Sequence, residues 1–344
     1  MSKVRVGING FGTIGKRVAH AVSLQTDMKL VGVANRSVNI NVRNMLGKKG
    51  PLYKTDLYCS EPANMKTMES THFKVKGSLE DLLRKVDVII DGTPAGIEAK
   101  NKPLYQKHRV KQIYQGGADK NVADASFTAI ANYEKCVGKD SLRVVSCNTT
   151  SLVRTIHAVN ETVGLKDIFA VLVRRAADPH EDADEGPIIS VVPVTKVPSH
   201  HGPDVQTVLP KINITTMACA IPTTLNHTHF ITATMDKECS REDIIDAFRN
   251  ACRVLLFRAG EGYETSSQIA EYFRDTGRPR SDMFEACVWE ETVNTVKNKL
   301  YWCHVVHSEA ITIPENIDAI RAVMNTDKKL SSIRKTNKSL NIEK

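Results

Sequence analysis

The chain opens on an apolar run, Val4 to Ile8, that leads directly into Asn9-Gly10-Phe11-Gly12-Thr13-Ile14-Gly15. Gly10, Gly12 and Gly15 fit G-x-G-x-x-G. From Thr13 to Leu24 the pattern turns helical, with Ile14, Val18, Ala21 and Val22 on one side, and Met28 to Ala34 reads as a second strand. Strand, glycine turn, helix and strand are the context in which this triplet binds a dinucleotide. The first glycine permits the tight turn, the second lets the backbone approach a pyrophosphate, and the third lets helix and strand pack closely. Such a start commits the N-terminal part to a parallel, helix-covered sheet.

The end of the second strand bears on the cofactor. An acidic residue there would bind the ribose 2′-hydroxyl of NAD, but none occurs between Asp27 and Asp56; the chain reads Asn35-Arg36-Ser37. Arg36 can pair with a 2′-phosphate, with Asn35 and Ser37 as donors, so NADP is expected to be accepted. The competing reading is an exposed loop arginine, with NAD bound through backbone contacts. Val86 to Asp91 and Val110 to Tyr114 are further strands, each followed by glycine (Gly92; Gly116 and Gly117). Arg43 to Thr71 shows no clear period.

The 344 residues suffice for two domains. A net charge of +8 favours anionic partners. Part of it lies after Met324, in a stretch that reads as a solvated helix face without the aromatic residues that stack on nucleic acid. No apolar run approaches membrane-spanning length, and Met1 leads at once into a strand pattern, so a cytoplasmic protein is expected. The eight cysteines contain no Cys-x-x-Cys pair, and most are expected to be buried apolar residues.

Cys147 differs. In Arg143-Val144-Val145-Ser146-Cys147-Asn148-Thr149-Thr150 a strand pattern ends at Ser146, and Leu152, Val153, Ile156 and Val159 follow at helical spacing. A thiol at a helix start meets unpaired backbone N–H groups and the positive end of the helix dipole, both of which favour thiolate. Beyond it, Ile168 to Ala176, Ile212 to Ile221 and Leu225 to Met235 alternate as strands, and one helix is expected from Arg241 to Phe257, capped by Ser240. Three features could serve the thiol. Arg174 and Arg175 lie on opposite faces of a strand, so one can hold an anion. Pro198 to Asp204, with Ser199, His200, His201 and Gly202, reads as a loop suited to phosphate. A metal fits it poorly, because adjacent histidines bind one ion awkwardly and no supporting ligand stands nearby. His227 and His229 share one strand face, and either could be the acid/base partner of the thiol.

Taken together, INGFGTIGKRVA, QGG, RVVSCNTT, VRRAADP, PSHHGPD, IPTTLNHTH, VWEE, IPENIDAIRA and KTNK resemble the archaeal type of phosphorylating glyceraldehyde-3-phosphate dehydrogenase, nearly end to end. The resemblance implies an α/β fold. An N-terminal Rossmann dinucleotide-binding domain would span residues 1–146, with C-terminal helices from about 308–344 packed back on it. An α+β catalytic domain with a mostly antiparallel sheet would span 147–307. It implies oxidation of glyceraldehyde 3-phosphate with inorganic phosphate to 1,3-bisphosphoglycerate, using NADP or NAD, in a homotetramer. Cys147 becomes the nucleophile and His227 the histidine that assists the thiol and takes the hydroxyl proton as hydride leaves. Gly10, Gly12, Thr13, Ile14, Arg36, Gly117 and Arg175 become cofactor contacts. Ser146, Asn148, Arg174, His201 and Gly202 join Cys147 at the substrate. His304 stands where relatives carry a glutamine beside the nicotinamide. Asn35-Arg36-Ser37 has one basic residue fewer than their equivalent segment, which points to dual cofactor use. Two other readings compete. A semialdehyde or acyl-phosphate reductase would share the fold and the cysteine but bind an amino-acid carboxylate. A nucleotide- or nucleic-acid-binding module would have no need of the thiol.

Overall fold

The computed structural model describes residues 2–176 and 190–343. Ala177, Asp178 and Pro179 of the double-arginine motif lie outside them. The chain forms two compact units, Met1–Val145 with Ile313–Asn341, and Ser146–Thr312 with Ile342–Lys344.

The first unit runs β1 (Val4–Asn9), α1 (Thr13–Ser23), β2 (Met28–Asn35), α2 (Ile40–Leu46), β3 (Asp56–Cys59), α3 (Met65–Glu69), β4 (Val75–Ser78), α4 (Leu79–Leu83), β5 (Val88–Asp91), α5 (Glu98–Lys107), β6 (Lys111–Tyr114), β7 (Ala125–Phe127), α6 (Ala129–Cys136) and β8 (Ser141–Val144). Its sheet has the order β4-β3-β2-β1-β5-β6-β8-β7, with every pairing parallel. Both faces are covered, so the central strands are largely apolar: Val6, Ile8, Val33, Val88 and Ile90 are fully buried. The strand order reverses between β1 and β5, which leaves a crevice at their carboxyl ends. Gly10 turns there at φ +90, and a Cβ on it would sit 2.5 Å from the Gly92 carbonyl carbon. A buried chain fixes the same edge: Asn9 Nδ2 donates to Tyr105 Oη (2.7 Å), which donates to Asp91 Oδ2 (2.7 Å). The segment without a period holds α2, β3 and α3, elements too short to display one. Asn39 starts α2 by accepting from the Val42 N–H.

The second unit runs α7 (Cys147–Val163), β9 (Leu165–Arg175), β10 (Val192–Pro193), α8 (His201–Gln206), β11 (Ile214–Ile221), β12 (Asn226–Met235), α9 (Arg241–Asn250), β13 (Val254–Phe257), α10 (Ser266–Asp275), β14 (Ala286–Trp289), β15 (Asn294–Val296) and β16 (Lys299–His307). The sheet order is β10-β11-β9-β12-β16-β14-β13, with β15 on β16. Only β11/β9 and β13/β14 pair in parallel, so the sheet is mostly antiparallel. Ile168, Ala170 and Leu172 on β9, and His229, Ile231 and Ala233 on β12, are buried on the face that α7 covers. The helix expected to reach Phe257 stops at Asn250. Its capping box at Ser240 forms as expected, but Arg253 takes φ +59 and Val254–Phe257 becomes a strand parallel to β14. Four consecutive apolar residues suit a buried strand better than one face of a helix. The segment read as a loop carries α8, with His201 and Gly202 in its first turn. The chain finally returns to the first unit as α11 (Ile313–Met324) and α12 (Lys329–Leu340). In α12 Lys335 and Lys338 face outward, while Ile333, Thr336 and Leu340 are buried. Asn316 on α11 and Gln115 after β6 exchange two amide hydrogen bonds, 2.7 and 3.1 Å, next to Gly116-Gly117.

Among the described residues no helix is long and apolar enough to cross a membrane.

Candidate active site

Cys147 is the first residue of α7. Ser146 caps the helix: its Oγ accepts from the Thr149 N–H (3.3 Å) and lies 2.9 Å from the Thr149 hydroxyl, which donates to Asp204 Oδ2 (2.6 Å). The thiol is half-buried and rests on the apolar cluster Ala286, Val306 and Ile311. All eight cysteines are free. Burial pushes the Cys136 thiol up to about 11 and Cys303 to about 12, and Cys287 well above its usual range. These three behave as the apolar fillers expected of them.

His227 Nε2 lies 3.5 Å from Cys147 Sγ, which separates the two candidate histidines. His229 shares its strand face but is fully buried and points its Nε2 at Asn148 Oδ1, 2.8 Å away. Desolvation first, then the charges of Arg175 and Arg174, lowers His227 well below the usual imidazole range, so the ring is neutral. Its Nδ1 accepts from the Arg175 backbone N–H at 2.9 Å. The single ring proton therefore sits on Nε2 and points at the sulfur.

Arg174 lies on the same strand face as His227, as its parity along β9 requires, and its positive charge lowers His200, His201 and His227 alike. Its buried Nε has no hydrogen-bond partner among the described residues, an arrangement that an anion would complete. Arg175 instead donates from Nε to Ser308 Oγ, 3.1 Å away. His201 is buried, bonded through Nδ1 to Ser199 Oγ (3.0 Å), and lowered to about 3 by desolvation first, then by His200 and Arg174. Its neighbour His200 is exposed, with its ring centroid 3.9 Å from that of His201. The Gly202 N–H donates to Thr216 Oγ1 (3.0 Å). Among the described residues no three His, Cys, Asp or Glu side chains gather as a metal site.

In the first unit, Gly12 precedes α1 without a side-chain cap, and a Cβ added there would meet nothing within 4 Å. The first N–H groups of α1, at Thr13 and Ile14, thus border open space, as a phosphate cradle requires. Gly117 is also open, its nearest neighbour to such a Cβ being Ala95 at 3.9 Å. Arg36 is exposed beyond β2. Asn35 is not free to serve a ribose phosphate: its Oδ1 accepts from the Phe11 N–H and its Nδ2 donates to the Ser37 carbonyl. The residues present therefore fit a pyridine dinucleotide, and Arg36 and Ser37 are exposed just past β2.

Comparison with known proteins supports both halves. Residues 146–303 match the model of the glyceraldehyde 3-phosphate dehydrogenase C-terminal domain, and residues 4–116 match the N-terminal model of dihydrodipicolinate reductase. A glyceraldehyde-3-phosphate dehydrogenase of Pyrococcus abyssi is 50% identical over 342 residues, covering 99% of this chain and 100% of the relative. Those of Thermococcus kodakarensis and Methanobacterium bryantii are 49% and 47% identical over 99% and 98% of this chain, and over 100% and 99% of their own lengths. The chain belongs to the glyceraldehyde-3-phosphate dehydrogenase family. It has that family's paired architecture, a pyridine-nucleotide domain and an oxidoreductase catalytic domain.

Within this family member, Cys147, Ser146, Asn148, His227, Arg174 and Arg175 come together at the start of α7 and the ends of β9 and β12. His304 does not join them. It is fully buried on β16 opposite His229, with Nε2 3.0 Å from His229 Nδ1, and presents no atom to a cofactor. Strand parity decides this: His304 faces α7 together with His229. One residue, Ser308, carries no signal in the sequence. Ser308 meets Arg175 just past β16, and His200, not His201, is the exposed imidazole of the pair. Ser308 has no spacing to mark it, whereas His200 belongs to the adjacent-histidine segment read as suited to phosphate.

Proposed function

We propose that the protein is a phosphorylating glyceraldehyde-3-phosphate dehydrogenase that oxidises D-glyceraldehyde 3-phosphate with inorganic phosphate to 1,3-bisphosphoglycerate, reversibly. The contact between Cys147 Sγ and His227 Nε2 carries this reading. The thiolate adds to the aldehyde carbon and gives a hemithioacetal bonded to Cys147. A bound NADP or NAD supplies the hydride acceptor. Loss of hydride leaves a Cys147 thioester, a good acyl donor, which phosphate attacks at the carbonyl carbon to release the acyl phosphate and restore the thiolate.

The family resemblance expects His227 to accept the hydroxyl proton. The Arg175 N–H at Nδ1 supports a different part. With its proton fixed on Nε2, the neutral ring donates to the thiolate and then to the adduct oxygen. The adduct stays an alkoxide, from which hydride leaves without a base. The unpartnered Nε of Arg174 and the exposure of His200 support a phosphate contact at these two residues. His201, buried against Ser199, and Gly202, whose N–H meets Thr216, would fix that segment.

Gly10, Gly12, Thr13, Ile14 and Gly117 would hold the dinucleotide, and Arg36 its 2′-phosphate. NADP is then accepted alongside NAD, because only one basic residue serves that phosphate. Arg36→Ala is expected to lower the NADP/NAD ratio of kcat/KM about tenfold, the cost of one charge-assisted contact; an unchanged ratio contradicts this role.

The outer face of the second unit's sheet supports a homotetramer. Phe169, Met217, Phe230 and Tyr301, on four adjacent strands, are exposed together. A contiguous apolar face of this kind marks an interface. Sedimentation at assay concentration is expected to show tetramers; a monomer contradicts it.

A further inference from the structure

A second pair of imidazoles lies under α7 that the reaction above does not use. His229 Nε2 is 2.8 Å from Asn148 Oδ1, and His304 Nε2 is 3.0 Å from His229 Nδ1, with the two rings edge to face. Both residues are fully buried, and desolvation lowers His229 well below the imidazole range and His304 to about 3. Each ring therefore carries one proton at neutral pH.

The partners fix where those protons sit. The amide oxygen of Asn148 only accepts, so His229 holds its proton on Nε2 and has a lone pair on Nδ1. His304 must then donate from Nε2 to that lone pair. His304 Nδ1 becomes the bare nitrogen. It has no partner among the described residues, which a buried acceptor tolerates better than a buried N–H. The Ser151 hydroxyl lies 3.3 Å from His229 Nδ1 but donates to the Asn148 carbonyl at 2.9 Å. In this arrangement donation runs from His304 to His229 to Asn148.

We propose that His304 and His229 are positioning residues that hold the Asn148 amide oxygen inward, so that its Nδ2 hydrogens remain for the oxyanion formed at Cys147. This rests on the dehydrogenase reading above. Without the His304 donor, the His229 proton can move to Nδ1 and point at Ser151 Oγ. Nε2 then becomes an acceptor, and the Asn148 amide turns its NH2 group inward to meet it. An amide oxygen would then face the developing negative charge. The thiol itself, and the nucleotide-binding residues, would be unchanged.

The test compares His304→Leu with His304→Gln in the full chain, Gln keeping an N–H donor. His304→Leu is expected to lower kcat about tenfold or more, part of the effect of losing one oxyanion donor. The KM for NADP and the rate of Cys147 alkylation by iodoacetamide should stay near wild type. His304→Gln should recover most of kcat, which a merely space-filling role does not predict. Spectra of 15N-histidine-labelled wild type should show His229 as the Nε2–H tautomer, shifting to Nδ1–H in His304→Leu. A folded His304→Leu enzyme with near-wild-type kcat, a Gln variant no better than Leu, or a wild-type His229 protonated on Nδ1 overturns the proposal. If His304→Leu does not fold, the wild-type spectrum decides alone. Wild type that fails to oxidise glyceraldehyde 3-phosphate would remove the dehydrogenase reading instead, and the tautomer would still be readable.

Discussion

Cys147→Ser is expected to reduce the oxidation of glyceraldehyde 3-phosphate at least about a thousandfold while leaving NAD and NADP binding intact. A serine hydroxyl is barely ionised near neutral pH, and its ester would not replace the thioester as an activated acyl donor. Neither loss can be offset by the helix start or by His227. The nucleotide residues Gly10, Gly12, Thr13, Ile14 and Gly117 all belong to the first unit, so cofactor fluorescence titration should show an unchanged affinity. Loss of both activity and cofactor binding would mean that the variant is misfolded. Retained turnover would show that the thiol is not the nucleophile and revive the reading of the chain as a binding module.

The second large effect is expected at His227, and the choice of substituent discriminates between its possible parts. His227→Ala should lower kcat about 10²–10³-fold, the range found when one oxyanion donor is removed. His227→Asn, which keeps an N–H donor but cannot act as a base, should recover at least about tenfold over Ala. Asn as impaired as Ala would contradict the donor role and restore the proton-acceptor role that the family resemblance expects. The deficit should also hold across neutral pH. The folded-state affinity of His227 for a proton is depressed well below the free value, so the ring is already neutral throughout that range and its titration adds no inflection there.

Much of this site could be read from the sequence because local rules govern it. Gly10, Gly12 and Gly15 act within one turn of their neighbours, and Ser146 caps α7 through Thr149, three residues on. Cys147 at the helix start follows from those local facts alone. Strand parity placed His227 and His229 on one face, but the choice between them depended on β12 lying beside the start of α7, a long-range packing fact. The burial of His304 is a long-range fact of the same kind. Its role is set by its cross-strand partner, His229, whose identity no local window reveals. The segment from Pro198 to Asp204 reads as a loop because Pro198, Gly202 and Pro203 dominate its local propensity. Burial of His201 and Val205 nonetheless holds one short helix there. Asn35 is a subtler case: its place at the end of β2 suits a donor to the cofactor's ribose, yet the glycine turn claims its amide through Phe11.

The central claim is tested most directly by initial rates with purified wild-type protein, glyceraldehyde 3-phosphate and each of NAD and NADP, with and without inorganic phosphate. Sustained reduction of at least one cofactor that requires phosphate, with no more than one equivalent reduced per Cys147 when phosphate is omitted, is the predicted result. No reduction of either cofactor, or sustained turnover independent of phosphate, would contradict it.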